Sequence, residues 1–322
     1  MRILVIGGAV FVGHHLVQSA LDRGHEVTVF NRGQTDPDAF PAVEKIRGDR
    51  NGDLSGLKGR GWDATLDVCG YVPGQVSSLL NTLGQGAGHY TFISTVSVYR
   101  AGAPSGYGED ALLVAPSYDD VLTMEQYGSL KVGCELTARE LIGDRLLIVR
   151  PGYVVGPRDP THRFTYWVER CAAGGPMIGP SAEQPIQAID GRDLAGFVIG
   201  LVEREVVGVF HATAPDPALA FTEFLGQIAE GTGTELPEVN WTEANDLLPL
   251  AEAADDWSLM TAGLGRARAA GLSWRPLCDT ARDTLAWVSD ARARGTYQQR
   301  AGVGMTPDQE REALARHVDH DR

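Results

Sequence analysis

Tyr127 and Lys131 stand four residues apart, a spacing that puts both side chains on one face of a helix and lets them meet at one substrate atom. A protonated lysine beside a phenol stabilises the phenolate and lowers its pKa toward working pH, so the pair suits proton transfer at an alcohol or carbonyl oxygen. The chain has nine tyrosines but only three lysines, at 45, 58 and 131, so chance seldom produces such a pair. Upstream, Phe92-Ile93-Ser94-Thr95-Val96-Ser97-Val98-Tyr99 ends an apolar run with hydroxyls able to hold a carbonyl or alcohol oxygen. Taken alone it also reads as an ordinary β-rich strand end.

A third group lies at the start. Gly7-Gly8-Ala9-Val10-Phe11-Val12-Gly13 follows an apolar run and opens a helical pattern, where backbone amides and the helix dipole can hold a pyrophosphate. Val10 stands where the usual pattern has its middle glycine, a departure that asks for a different turn. The second strand ends in Phe30-Asn31-Arg32-Gly33, with no carboxylate to grip a ribose 2′-hydroxyl. Arg32 can pair with a 2′-phosphate, which favours NADP slightly over NAD, although a surface arginine in a turn is the plain alternative. Asp49 in Gly48-Asp49-Arg50 either faces the adenine amine or belongs to a polar loop.

The elements that must position these groups are legible as short apolar runs: Ile3 to Ile6, Glu26 to Phe30, Ala64 to Val68, Tyr90 to Ile93 and Leu146 to Val149. Helical stretches between them give the rhythm of βαβ units feeding a mainly parallel sheet. Leu16 to Leu21 has helical spacing, and Gly24 is placed to end that helix. Past Pro151, prolines at 157, 160, 176, 180 and 185 with Gly174 and Gly175 mark loop-rich territory. Asp190 to Leu201 then reads as a helix and Val206 to Phe210 as a strand returning to the sheet. Thr306-Pro307-Asp308-Gln309 has capping-box spacing and opens a polar C-terminal helix. The expected fold is α/β, a Rossmann-type doubly wound, mainly parallel sheet with a smaller C-terminal substrate domain. Residues 1–160 would bind the dinucleotide and 161–322 mainly the substrate, with about 186–212 rejoining the sheet.

Composition narrows the partners. In 322 residues, 43% hydrophobic content supplies a packed core, and a net charge of −14 repels phosphate backbones and anionic headgroups. Nucleic acid and membrane are therefore not expected as partners. The first apolar run is too short for a signal peptide, and no stretch reaches the roughly 18 apolar residues of a membrane span. Cysteines at 69, 134, 171 and 278 show neither metal-ligand spacing nor a disulfide framework, which suits reduced thiols in a cytoplasm and no metal.

Taken together, the glycine turn, the hydroxyl-bearing strand end and the Tyr/Lys pair resemble the extended short-chain dehydrogenase/reductase family, especially its NAD-dependent epimerase/dehydratase group. Arg150-Pro151-Gly152-Tyr153-Val154-Val155-Gly156-Pro157 and Ile189-Asp190-Gly191-Arg192-Asp193-Leu194 look like its later landmarks. The resemblance implies that Tyr127 is the acid/base, that Lys131 binds the nicotinamide ribose and tunes Tyr127, and that Thr95 is the catalytic hydroxyl. It implies a cofactor across Gly7, Gly8, Phe11, Val12 and Gly13, with Asn31, Arg32 and Asp49 toward the adenosine and Val68, Cys69 and Gly70 flanking the ribose. Dehydratases of the group carry an acidic pair after the catalytic threonine. Here Val96 and Ser97 stand there, against dehydration. Epimerases of the group often have an asparagine where Tyr153 stands, so a nucleotide-sugar substrate is not favoured.

Three activities follow. A reductase or dehydrogenase moves a hydride between nicotinamide and the carbonyl or alcohol of a small molecule, while Tyr127 moves the proton. An epimerase, acting on a sugar or nucleotide sugar, keeps NAD tightly bound and returns the hydride on the other face. A non-catalytic nucleotide- or RNA-binding protein is the third, because relatives with a similar Gly-Gly-x-x-Phe-x-Gly turn include chloroplast RNA-binding proteins; the acidic charge opposes it. Substrate contacts are expected from Tyr153, Arg158, Arg163 and Tyr166, though Tyr166 and Trp167 equally read as packing residues. A homodimer stays open.

Overall fold

The computed structural model describes residues 1–243 and 247–320. Its first strand shows why the apolar runs are continuous rather than alternating. In β1 (Arg2–Ile6), Ile3 and Val5 pack with α1 (Phe11–Asp22), whereas Leu4 and Ile6 pack with α2 (Pro73–Leu83) on the opposite face. A strand covered on both faces must be apolar at every position.

β2 (Glu26–Asn31), β3 (Glu44–Arg47), β4 (Ala64–Asp67), β5 (His89–Ile93), β6 (Leu146–Pro151) and a later strand at 208–212 complete a seven-stranded sheet. Written by starting residue, the order is 208-146-89-64-2-26-44, and every pair is parallel. The chain steps one way from β1 to β2 and β3, and the other way through β4, β5 and β6. The reversal leaves a crevice at the carboxyl ends of β1 and β4, where ligands of doubly wound sheets bind.

α3 (Tyr127–Ile142) joins α2 on one face; α5 (Gly191–Glu203) joins α1 on the other. Asp190 caps α5 by accepting from the Arg192 amide at 2.8 Å. Between them lie β7 (Tyr153–Val155), α4 (Arg163–Ala173), and the short strands β8 (Met177–Gly179), β9 (Pro185–Ile186) and β10 (Ala188–Asp190). The strand at 208–212 is β11; β12 (Leu219–Ala220), α6 (Phe221–Thr232), β13 (Val239–Trp241), α7 (Gly265–Ala269), α8 (Leu277–Ala293) and α9 (Pro307–His320) follow.

α4, α6 and α8 build a second core around Phe164, Trp167, Phe221, Phe224 and Ala281. α9 opens on a reciprocal capping box: the Thr306 amide donates to Gln309 Oε1 at 2.9 Å and the Gln309 amide to Thr306 Oγ1 at 3.3 Å. β3 lies at the edge of the sheet. Glu44-Lys45-Ile46-Arg47 buries only Ile46, because an edge strand exposes most of its side chains.

Candidate functional site

A cavity of about 630 Å³ opens along the crevice. Gly7, Gly8, Phe11, Val12 and Gly13 line it from β1 and α1, Asn31 and Arg32 from the end of β2, Asp49 from the loop after β3, and Val68 and Cys69 from the end of β4. Gly70 and Lys131 lie beside it instead, joined by a 2.9 Å bond from Lys131 Nζ to the Gly70 carbonyl. Gly8 adopts a φ of +71°, open to glycine at little cost. A Cβ on Gly13 would sit 2.6 Å from the Gly8 nitrogen, so only glycine lets α1 begin this close to the strand. Val10 occupies the N-cap in extended backbone, at φ −125° and ψ 137°. A β-branched residue adopts that geometry readily, which is how the turn forms without its middle glycine.

Val10 supplies no side-chain cap, and the first turn of α1 has no acidic residue. Its leading amides therefore face the cavity as an anion site, and the glycine cradle and the donors around it fit a dinucleotide pyrophosphate. At the end of β2, Asn31 Nδ2 donates to the Gly7 carbonyl at 3.1 Å, while Asn31 Oδ1 accepts from the Gly33 amide and from Arg47. Arg32 is exposed at the cavity wall.

Arg50, Tyr71, Gln75, Pro160 and Thr161 also line the cavity and were not singled out from sequence. Arg50 grips Asp67 with two bonds, at 2.6 and 3.0 Å, and Tyr90 donates to the same carboxylate at 2.8 Å. Asp67 is fully buried, and the guanidinium holds its carboxyl below the usual carboxylate range despite that burial. The signal was Arg50 itself, a charge beside Asp49 in a loop that must face the crevice.

Beyond the cavity's inner end stand Thr95, Tyr127 and Lys131. Thr95 follows β5 and caps a short turn, its Oγ1 accepting from the Ser97 amide at 3.1 Å. α3 reaches this strand end because residue 128 is glycine: a Cβ there would lie 2.1 Å from the Ser97 carbonyl oxygen. Tyr127 opens the first turn of α3, next to this strand end.

Lys131 Nζ, buried, donates to the Gly70 and Ile93 carbonyls at 2.9 and 2.8 Å and lies 4.6 Å from the Phe92 ring centre. Burial pulls its pKa down to about 8. Burial pushes the Tyr127 phenol up to about 12, with the Arg163 charge acting against it. The ammonium is committed to two carbonyls, with one N–H left over.

One turn beyond Lys131, Glu135 forms a buried ion pair with Arg150 at 2.6 and 3.0 Å and accepts from Ser94 Oγ at 2.5 Å. Arg150 also donates to Tyr99 Oη at 2.6 Å. The pair ties α3 to the ends of β5 and β6, and so fixes the helix that carries Tyr127.

On the far side, the Arg163 guanidinium lies 5.0 Å over the Tyr153 ring, and the Tyr153 hydroxyl donates to Glu252. Burial, with Asp256 nearby, pushes the Glu252 carboxyl up to about 7. The other two expected substrate residues are elsewhere. Arg158 pairs with Asp36 at 2.7 Å in the loop after β2. Tyr166 packs edge-on to Trp167 and beneath Gly304, because the C-terminal segment returns over α4.

Residues 3–54 match the model of the NAD dependent epimerase/dehydratase family. The human Epimerase family protein SDR39U1 is 30% identical over 244 residues, 70% of this chain and 80% of its own length. The chloroplast stem-loop binding protein of 41 kDa b from Arabidopsis thaliana is 25% identical over 221 residues; the match takes in 63% of this chain and spans only 56% of that relative. Among solved structures, UDP-glucuronic acid 4-epimerase from Bacillus cereus in complex with NAD superposes with a TM-score of 0.67 at 19% identity, over 90% of this chain and 99% of that one. That likeness is one of fold. Among the described residues, no helix is long and apolar enough to cross a membrane. With the cradle, the strand order and the human relative in agreement, the chain belongs to the NAD-dependent epimerase/dehydratase family.

Proposed function

We propose that this protein is an NAD(P)-dependent oxidoreductase acting on a carbonyl or alcohol group of a small molecule, with Tyr127 as its acid/base. The observation that carries the reading is placement: α3 opens with Tyr127 against the strand end that carries Thr95, Lys131 follows one turn on, and a crevice with a glycine cradle lies at the same edge of the sheet. At neutral pH the phenol is protonated and can give its proton to a carbonyl oxygen as hydride arrives. Thr95 orients the substrate oxygen. Lys131 has one N–H left after its two carbonyl bonds, enough to hold a ribose hydroxyl. A bound nicotinamide supplies the hydride chemistry at the neighbouring carbon. Arg32 and Arg47 at the adenosine end, with no carboxylate at the end of β2, favour NADP.

Tyr153 and Arg163 contact the substrate in this reading. The protein works in the cytoplasm, without nucleic acid, as a monomer or a homodimer. The Arabidopsis relative is named for binding stem-loops, but a net charge of −14 opposes a phosphate backbone here.

The test is titration of NAD, NADH, NADP and NADPH into the purified protein, followed by turnover on a panel of ketones and aldehydes. Tyr127→Phe should keep cofactor affinity and cut turnover by about a hundredfold or more. No binding of any reduced cofactor refutes the assignment. Stoichiometric NAD retained through purification, with no net redox turnover, selects the epimerase instead.

A further inference from the structure

The cavity has two rims that come from distant parts of the chain. Gly33, Gln34 and Thr35, in the loop between β2 and β3, line it on one side, and Pro160 and Thr161, in the loop between β7 and α4, line it on the other. Asp36 directly follows the first rim, and Arg158 stands two residues before the second. Arg158 Nη2 donates to Asp36 Oδ2 at 2.7 Å, so one bond joins the two rims across 122 residues of sequence.

One end of that bond is a fixed post. His15, in α1, donates to the Pro157 carbonyl at 3.2 Å, and the buried Asp159 carboxyl accepts from the Thr161 amide and hydroxyl, both at 2.8 Å. Arg158 itself is kept at a φ of +72°, a left-handed conformation that an arginine adopts only when its surroundings impose it. The other end is anchored on either side of the rim. The Asn31 side chain accepts from the Gly33 amide at 2.9 Å, the Pro37 carbonyl accepts from Lys45 at 2.9 Å, and the Phe40 ring lies against His14 of α1 at 4.5 Å. Between those anchors Gln34 and Thr35 are exposed. His14 and His15 thus touch one loop each, and the bond runs beside the start of α1, whose leading amides form the anion site.

Resting on the dinucleotide reading of this crevice, we propose that Asp36 and Arg158 form a latch: with their bond made, residues 33–36 lie down along the bound cofactor, and release waits for the bond to break. The two are positioning residues. They set the lifetime of the cofactor complex and leave the chemical step to the groups at the inner end of the crevice. Their side chains are 36% and 33% exposed, which makes the bond weak enough to open each time cofactor is exchanged.

The experiment is a stopped-flow chase. Wild-type protein, Asp36→Ala and Arg158→Met are loaded with NADPH or NADH, whichever the wild type holds, and mixed with an excess of its oxidised form while nicotinamide fluorescence is read. Both substituted residues are about one-third exposed, so the fold survives their loss. The cofactor is an anion, so simple charge effects move the variants in opposite directions: loss of Arg158 removes an attraction and speeds release, whereas loss of Asp36 removes a repulsion and slows it. A latch makes them agree. Release should be about two- to fivefold faster in both, the change expected from losing one exposed ion pair. Release from Asp36→Ala at the wild-type rate or slower, or from Arg158→Met at the wild-type rate, overturns the proposal. A wild-type protein that holds neither reduced cofactor refutes the dinucleotide reading itself, and the latch goes with it.

Discussion

Gly128→Ala adds one methyl group to α3 and leaves Tyr127, Lys131 and Thr95 in place. The new carbon would sit 2.1 Å from the Ser97 carbonyl oxygen and 3.1 Å from its carbon. An ordinary contact needs well over 3 Å, so the helix start must retreat from the strand end by roughly 1 Å. Neither side yields easily: Ser97 belongs to the turn that Thr95 caps, and α3 is tied down through Glu135 and Arg150. A displacement of about 1 Å between a proton donor and the oxygen it serves costs on the order of a hundredfold in rate, and overpacking costs about 1–3 kcal/mol of stability. The assay is kcat for carbonyl reduction at saturating NADPH, with a thermal melt and a cofactor titration on the same preparation. The expected result is a large fall in kcat with cofactor affinity within a few-fold of wild type. Wild-type kcat in Gly128→Ala would refute the claim that the distance from α3 to this strand end sets the chemistry.

Gly226 in α6 is the converse case, since a Cβ there meets nothing within 4 Å. Gly226→Ala should raise stability by about 0.5–1 kcal/mol in denaturant melts. Arg150→Met strands the buried Glu135 carboxyl with Ser94 alone and should cost about 3–5 kcal/mol in the same assay. Lys131 is a base whose pKa is lowered to about 8, so it is cationic below that pH and neutral above it. Cofactor affinity should therefore weaken as pH climbs through about 8, and the same titration on Lys131→Met should be flat.

Much of this site could be read before the fold was known, and the reason is local geometry. The Tyr/Lys pair and the glycine turn are defined by spacings of a few residues, and both come to the same edge of the sheet because β1 and β5 end there. Strands covered on both faces were legible as continuous apolar runs, whereas β3, an edge strand with one buried residue, carried no such signal. The missed features come from pairings across the chain. Arg50 meets Asp67 because the loop after the edge strand β3 reaches back past β2 and β1 to the end of β4, and Glu252 reaches Tyr153 across 99 residues. The same cause removed Tyr166 from the substrate side, since Gly304 arrives over it from a segment far along the chain. Helical spacing places Lys131 near Tyr127 but says nothing of the carbonyls of Gly70 and Ile93, which take two N–H bonds of that ammonium.

The most direct measurement is the nicotinamide fluorescence of NADPH titrated into the wild-type protein and into Gly13→Val, whose side chain would drive into the Gly8 backbone and close the cradle. Saturable binding by the wild type, lost in a variant that still melts cooperatively, is the result expected. A wild-type protein that leaves the fluorescence unchanged, or a Gly13→Val protein that binds as tightly, would contradict the assignment of this crevice to a dinucleotide.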